Sequence, residues 1–206
     1  THKWMKECKK IHTRKDQLLF GIAQGSIYKD LRIKSTKYID KLNFDGIAFG
    51  GLAVGETKQE MYEMIKISSQ NCSLDKPRYV MGLGSPTDIL KAISLGVDTF
   101  DSVYPTRNAR HGHLFTQNGP INIENAKFKR DISPICKECN CKICKHYTRS
   151  YVNHLFKTGE PLGKMLATYH NLSFIYDMLD NARQAIQENN FSDFMENFIN
   201  SYKNET

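Results

Sequence analysis

The sequence has no long apolar run. Nothing in its 206 residues approaches the roughly 20 consecutive apolar residues that a membrane-spanning helix needs, so we expect no membrane partner. No secretory signal is expected, since the opening THKWMKECKK is basic and polar. It has no initiator Met, and we expect a longer parent protein. It has no glycine-rich loop of the G-x-x-x-x-G-K-[ST] type, which excludes the nucleotide hydrolases built on that loop. It has no low-complexity segment and no repeat beyond an alternation of strands and helices. Apolar residues make up 40% and charged residues 25%, the balance of an ordinary globular protein with a sizeable core.

Acidic charge is scarce in one place. The net charge is +7. Between Glu124 and Lys164 nine Lys or Arg face four Asp or Glu, whereas from Asn171 to the end two basic residues face six acidic ones. A basic block beside an acidic tail fits a polyanion partner at one place, with a solvated lysine-rich surface as the alternative.

Cysteine is unevenly used. Cys8 and Cys72 are isolated, and the other four fall in CKECNCKICKHY, 136–147. Four sulfurs within nine residues are too close for two unstrained disulfides, and nothing points to secretion, so a reducing, cytoplasmic compartment is expected. Closely spaced thiolates in such a compartment select zinc. Cys139, Cys141 and Cys144 form C-x-C-x2-C. Cys136, His146, His154 and His170 compete for the fourth position; a distant histidine would tie the loop to a helix. Four protein ligands leave no open position for water, so a structural ion is expected, one per chain. Unligated reduced thiols are the alternative.

Four short apolar runs, LLFGIAQG (18–25), FDGIAFGGL (44–52), RYVMGLG (78–84) and TFDSVYP (99–105), read as buried strands of a parallel sheet. The helical patterns at 27–42, 58–70 and 86–96 lie between them. This is an α/β fold with a parallel sheet. The period, roughly 25 to 30 residues, suits half of a (β/α)8 barrel, with a doubly wound sheet as the alternative. Beyond residue 105 the pattern changes to an irregular hairpin around Asn118-Gly119, the cysteine cluster, and helices from His146 onward. In NLSFIYDMLDNARQAIQE, Leu172, Ile175, Met178, Leu179, Ala182 and Ile186 share one helical face. The expected domains are 1–115 and 116–206.

Six collinear stretches carry a resemblance: FGIAQGSIYKDLR (20–32), GIAFGGLAVGE (46–56), PRYVMGLGSPTDIL (77–90), GVDTFDSVYPTRNARHGHLFT (96–116), CNCKICKHYTRSYVNHLF (139–156) and TYHNLSF (168–174). Together they resemble the tRNA-guanine transglycosylases, or queuine tRNA-ribosyltransferases, of bacterial type. The resemblance implies the second half of a (β/α)8 TIM-like barrel with a C-terminal helical zinc-binding subdomain. The family's N-terminal half, with a base-recognising aspartate and another proposed as general acid/base, has no counterpart here. The resemblance places the zinc ligands on Cys139, Cys141, Cys144 and His170, and leaves Cys136, His146 and His154 out.

The implied activity is that of a pentosyltransferase in queuosine biosynthesis. It exchanges guanine at the anticodon wobble position of tRNA for a 7-deazaguanine base. Retention at the anomeric carbon needs two displacements, as in the retaining glycosidases. Asp101, in TFDSVYP and directly before PTRNAR, is the implied nucleophile, and Asp98 is read as structural. Gln24, Gly51, Leu52, Val54 and Met81 are the implied substrate-binding positions: the Gln24 amide can donate and accept on a purine edge, and glycine lets backbone amides approach a flat base. Met81 and Tyr104 are candidates to sandwich the base. Val54, where eukaryotic relatives tend to have glycine, favours 7-aminomethyl-7-deazaguanine as the incoming base. The implied RNA contacts are Gly82, Leu83, Gly84, Ser85, Pro86, Thr87 and Asp88, and Thr106, Arg107, Asn108, Ala109 and Arg110, with the target base flipped out. Ser85 stands where the family often has lysine. A homodimer through surfaces that include the zinc subdomain is implied as well. The competing reading is a non-catalytic RNA-binding or assembly subunit of the same fold.

Overall fold

The structure is a computed structural model, and it describes residues 1–202. The end of the expected second domain, with Lys203 and Glu205 of the acidic tail, lies outside the described residues. The chain divides into two units: Thr1–Gly84 with Asp88–Ser102, and Ser85–Thr87 with everything from Val103 onward.

The first unit alternates helices and strands: α1 (His2–Ile11), β1 (Phe20–Ala23), α2 (Lys29–Lys41), β2 (Gly46–Phe49), α3 (Lys58–Ser69), β3 (Arg78–Met81), α4 (Pro86–Ser94) and β4 (Thr99–Asp101). The four strands form one parallel sheet in the order β1-β2-β3-β4. This is the α/β architecture that the apolar runs imply. The register pairs Ala23 with Phe49 and Met81 with Asp101. β2 is buried along its whole length, and Ile39, Phe44, Ile47, Phe49, Met64, Ile65 and Val80 form the core around it. Helix α3 starts at a reciprocal capping box between Thr57 and Glu60, which satisfies two backbone donors. Asp98 accepts from the Arg78 N–H at 2.8 Å, so it pins the start of β4 to β3, as its structural reading expects.

One strand expectation needs correction. TFDSVYP is not extended to Pro105: β4 stops at Asp101, and helix α5 (Tyr104–Arg110) begins with Pro105 in its first turn. Proline presets helical φ there and lacks an N–H that would have no partner anyway. β4 is also not buried: Thr99 and Asp101 are exposed and Phe100 is half-buried.

The second unit continues from α5 into an antiparallel hairpin, β5 (His113–Leu114) and β6 (Ile121–Asn122). Mutual backbone bonds between Thr116 and Gly119 close its turn, at the expected Asn118-Gly119 position. A 3-10 turn at Ala126–Phe128 leads to α6 (Lys142–His146), α7 (Arg149–Lys157), α8 (Pro161–Gln187) and α9 (Phe191–Ser201). Leu114, Ile123, Ile135, Val152 and Ala167 lie in its core. The stripe buried along α8 departs from the expected one. Ile175, Met178 and Ala182 are buried, but Leu172 and Ile186 are exposed, and His170, Asn171, Phe174 and Ala185 take the inner face. The periodicity of apolar residues missed it because two polar side chains occupy fully buried positions. Among the described residues no helix is long and apolar enough to cross a membrane.

Asn171 explains its own burial. Its Oδ1 accepts from the Phe115 N–H, and its Nδ2 donates to the carbonyls of Pro105 and His113, each at 3.0 Å. One amide thereby holds α5 and β5 against α8. Asn171→Ala strands three backbone groups, and we expect a loss of about 2–4 kcal/mol in urea unfolding. A loss below about 0.5 kcal/mol would mean that these groups find other partners.

Candidate active site and metal centre

In a parallel sheet all strands end on the same side, and polar side chains just beyond those ends face one another. Gln24 follows β1, Gly51 and Leu52 follow β2, Met81 closes β3 with Gly82 after it, and Asp101 closes β4. The geometry is most developed at Asp101. Its Oδ1 accepts from the Tyr79 hydroxyl at 2.5 Å and from the Gly82 N–H at 3.2 Å. Oδ2 enters no hydrogen bond among the described residues. Gly82 has φ +78, a left-handed conformation that costs a glycine little and turns its amide toward the carboxylate. The bond to Asp101, assisted by partial burial and by the carboxylate charge, pushes the Tyr79 phenol up to about 12. Tyr79 therefore remains a donor throughout the neutral range. The arrangement holds one carboxylate oxygen and leaves the other, on an exposed residue, open to react.

The ends of β1 and β2 form a second cluster. Gly51 has φ +67, and a Cβ there would come within 2.7 Å of Gln24 Oε1, so the Gln24 amide lies directly against the glycine. The Gln24 N–H donates to Ser35 Oγ at 2.9 Å. Leu52 is buried, whereas Val54 is 81% exposed. The loop after them closes on Glu56, whose two oxygens accept from the N–H groups of Ala53 at 2.5 Å and Val54 at 3.1 Å. Met81 is 40% exposed and stands outside the core.

The residues expected to touch RNA are placed unevenly. In the 82–88 segment Leu83, Gly84, Pro86 and Asp88 are buried, and Asp88 accepts from Tyr62 at 2.6 Å and Lys58 at 2.8 Å. Gly82 is exposed, and Ser85 and Thr87 are half-buried. The run 106–110 is helical. Arg107 and Arg110 are exposed, Ala109 is core, the Asn108 amide donates to the Tyr104 carbonyl and the Thr106 hydroxyl to that of Val103. Tyr104 stacks on Phe115 at 6.2 Å between ring centroids.

In the second unit Cys139, Cys141, Cys144 and His170 come together, their ligand atoms all within 4.8 Å of one another. His170 Nδ1 lies 3.9, 3.6 and 3.4 Å from the sulfurs of Cys139, Cys141 and Cys144. These are close to the edges, about 3.5–3.8 Å, of a tetrahedron with zinc-like bond lengths. His170 Nε2 donates to the Phe115 carbonyl at 2.7 Å, which leaves Nδ1 as the free lone pair, the outer-shell bond that metal-binding histidines use. The Cys141 side chain also caps α6, accepting from the Cys144 N–H. Without a cation the crowded sulfurs oppose one another. Hydrogen bonds from Cys139 and Cys144 push Cys141 down, while its contacts with Cys139 and Cys141 push Cys144 up. A divalent ion removes that conflict, so the donor set fits a bound metal. Cys136 stands outside the cluster; it is buried and donates to Glu138 at 3.4 Å. His146 and His154 are exposed. All six thiols are free of disulfides.

Sequence reasoning missed Tyr79, Glu56 and Arg32. In RYVM Tyr79 shares a face with Met81, but only the strand register shows that Met81 pairs with Asp101.

A family model described as Queuine tRNA-ribosyltransferase matches residues 1–204. The queuine tRNA-ribosyltransferase of Halothermothrix orenii is 45% identical over 204 residues, covering 99% of this chain and 55% of that protein. That of Fusobacterium nucleatum is 46% identical over 206 residues, covering 98% and 55%. That of Francisella tularensis is 45% identical over 201 residues, with 98% and 55% covered. The chain spans about half the length of the curated relatives it matches.

Cobalt loading distinguishes the ligand sets. With Co(II), absorption from three thiolates and one imidazole is expected, unchanged by Cys136→Ser and lost with Cys139→Ser. A Cys136→Ser variant that loses the spectrum would move Cys136 into the site. Acidification should release the ion, since protons compete for the same thiolates.

Proposed function

The chain belongs to the queuine tRNA-ribosyltransferase family, and we propose that it supplies the nucleophile-bearing, metal-binding half of a tRNA-guanine transglycosylase. The half meant is the second four βα units of a (β/α)8 barrel. The four-stranded parallel sheet supports this: β1 and β4 each pair on one side only among the described residues, as strands awaiting neighbours from a first half would. The observation that carries the functional reading is the Asp101 carboxylate, anchored through Oδ1 and open at Oδ2.

In the proposed reaction Asp101 Oδ2 attacks the anomeric carbon of the wobble guanosine. The bond to guanine N9 breaks, its electrons stay with the base, and the base takes a proton from a general acid expected in the other half. An ester between Asp101 and ribose results. An incoming 7-deazaguanine base, 7-aminomethyl-7-deazaguanine on the Val54 reading, gives up its N9 proton and displaces the carboxylate, so that Asp101 returns as an anion. Two inversions give retention. Tyr79 and the Gly82 N–H hold the carboxylate and accept part of its charge when it leaves as an anion in the second step. Gln24, Gly51, Leu52 and Met81 receive the purine. Arg107 and Arg110, exposed on one short helix, suit phosphates or flanking bases of a splayed anticodon loop, and the 82–88 segment with Thr106, Asn108 and Ala109 adds backbone and polar contacts. Zinc on Cys139, Cys141, Cys144 and His170 contributes folding energy rather than chemistry. Homodimerisation through the metal-binding unit and a cytoplasmic setting complete the reading. The competing non-catalytic subunit is disfavoured, because such paralogues lose the nucleophilic aspartate and Asp101 is present.

In the complete protein, Asp101→Asn should lower exchange of labelled guanine into tRNA on the order of a thousandfold or more. tRNA affinity should change far less, because phosphate contacts dominate it. An Asn variant with near-normal exchange would move the nucleophile elsewhere. The 206-residue chain alone, with two open sheet edges, should either sediment as an assembly or be partly rearranged; a stable, strict monomer at micromolar concentration contradicts this.

A further inference from the structure

Below the proposed purine subsite lies a buried positive charge. Arg32 belongs to the inner face of α2, with Ser35, Thr36 and Ile39, and its side chain is fully buried. Its Nη1 donates to the Gly50 carbonyl at 2.9 Å and reaches that of Ala23 at 3.5 Å, and its Nη2 donates to the Ser26 carbonyl at 2.8 Å. No carboxylate accepts from it among the described residues, and Nε has no partner. Burial pushes its pKa down, and the charge of Glu56 acts the other way. An arginine nonetheless stays protonated. Burying a cation without a bonded anion is costly, and here the carbonyl dipoles at the ends of β1 and β2 take the place of water.

Those carbonyls belong to the peptides that place the purine-binding groups. The Ala23 carbonyl shares its planar amide with the Gln24 N–H, and the Gly50 carbonyl shares its amide with the Gly51 N–H. Gln24 N–H is committed to Ser35 Oγ. Gly51 N–H enters no hydrogen bond among the described residues, and it sits on an exposed residue beside the Gln24 side chain. A cation on an amide oxygen draws density across the amide and makes its N–H a stronger donor. We propose that Arg32 is a positioning residue for base exchange. Its guanidinium fixes the ends of β1 and β2 and polarises the Gly50–Gly51 peptide, so that the Gly51 N–H becomes a strengthened donor to the carbonyl oxygen of the purine. This rests on the reading of Gln24 and Gly51 as the purine subsite.

The test compares guanine with 2-aminopurine, which lacks that carbonyl oxygen, in the complete protein. Arg32→Met should weaken guanine binding by about tenfold or more and 2-aminopurine, which shares only the loss of strand-end placement, distinctly less. Arg32→Lys, which keeps the charge, should recover part of the guanine affinity. Should the Met variant not fold, Arg32→Gln retains a carbonyl-directed donor without the charge and reads the same comparison. Equal weakening of both purines would reduce Arg32 to a structural residue and overturn the proposal. Equal affinity of the two purines for the unaltered protein would instead overturn the subsite reading itself.

Discussion

A parallel sheet forces every strand to end on the same side, and the candidate chemistry of this chain follows from that constraint. Gln24, Gly51, Met81 and Asp101 are far apart in sequence, yet they sit at or just past the ends of four adjacent strands. Each βα connection then specialises its own end. After β2 the loop turns through Gly51 and closes on Glu56; after β3 Gly82 turns its amide onto Asp101. The sheet places the groups, and local backbone chemistry aims them.

The second unit solves a different problem. Much of its chain between Ile123 and Lys142 has little regular structure. Two polar residues on α8 compensate. His170 joins the three cysteines to the Phe115 carbonyl, and its neighbour Asn171 binds three further backbone groups. A metal ion at the cluster would close the same knot from the other side. This is why two fully buried positions of a 27-residue helix carry an imidazole and an amide. Burying them is favourable only because each is fully hydrogen-bonded or held for a ligand.

The order of strands and helices was legible because aliphatic and aromatic runs alternate with helical periodicity and end near Gly or Pro. The limits of β4 were not, since the apolar character of VYP continues past the point where Pro105 starts a helix. On α8, apolar periodicity selected Leu172 and Ile186, which are exposed. A hydrophobicity pattern cannot see a polar side chain that is buried because it is satisfied. C-x-C-x2-C announced a metal cluster by itself, but the choice among four possible partners required the family resemblance, because His170 lies 26 residues past Cys144. Arg32 was hidden for the same reason as Asn171. Its buried stripe on α2, Arg32, Ser35, Thr36 and Ile39, has helical spacing but almost no hydrophobicity. Tyr79 became meaningful only once the strand register was known.

In the proposed reaction an open carboxylate oxygen of Asp101 becomes covalently attached to ribose. The direct measurement is peptide mapping by mass spectrometry. The complete protein is denatured during turnover with tRNA, digested with nuclease and protease, and searched for a ribose-phosphate adduct. That mass is expected on the peptide containing Asp101, with fragmentation locating it on the aspartate. The same mass on any other residue, or turnover that proceeds with no protein-bound ribose at all, would contradict it.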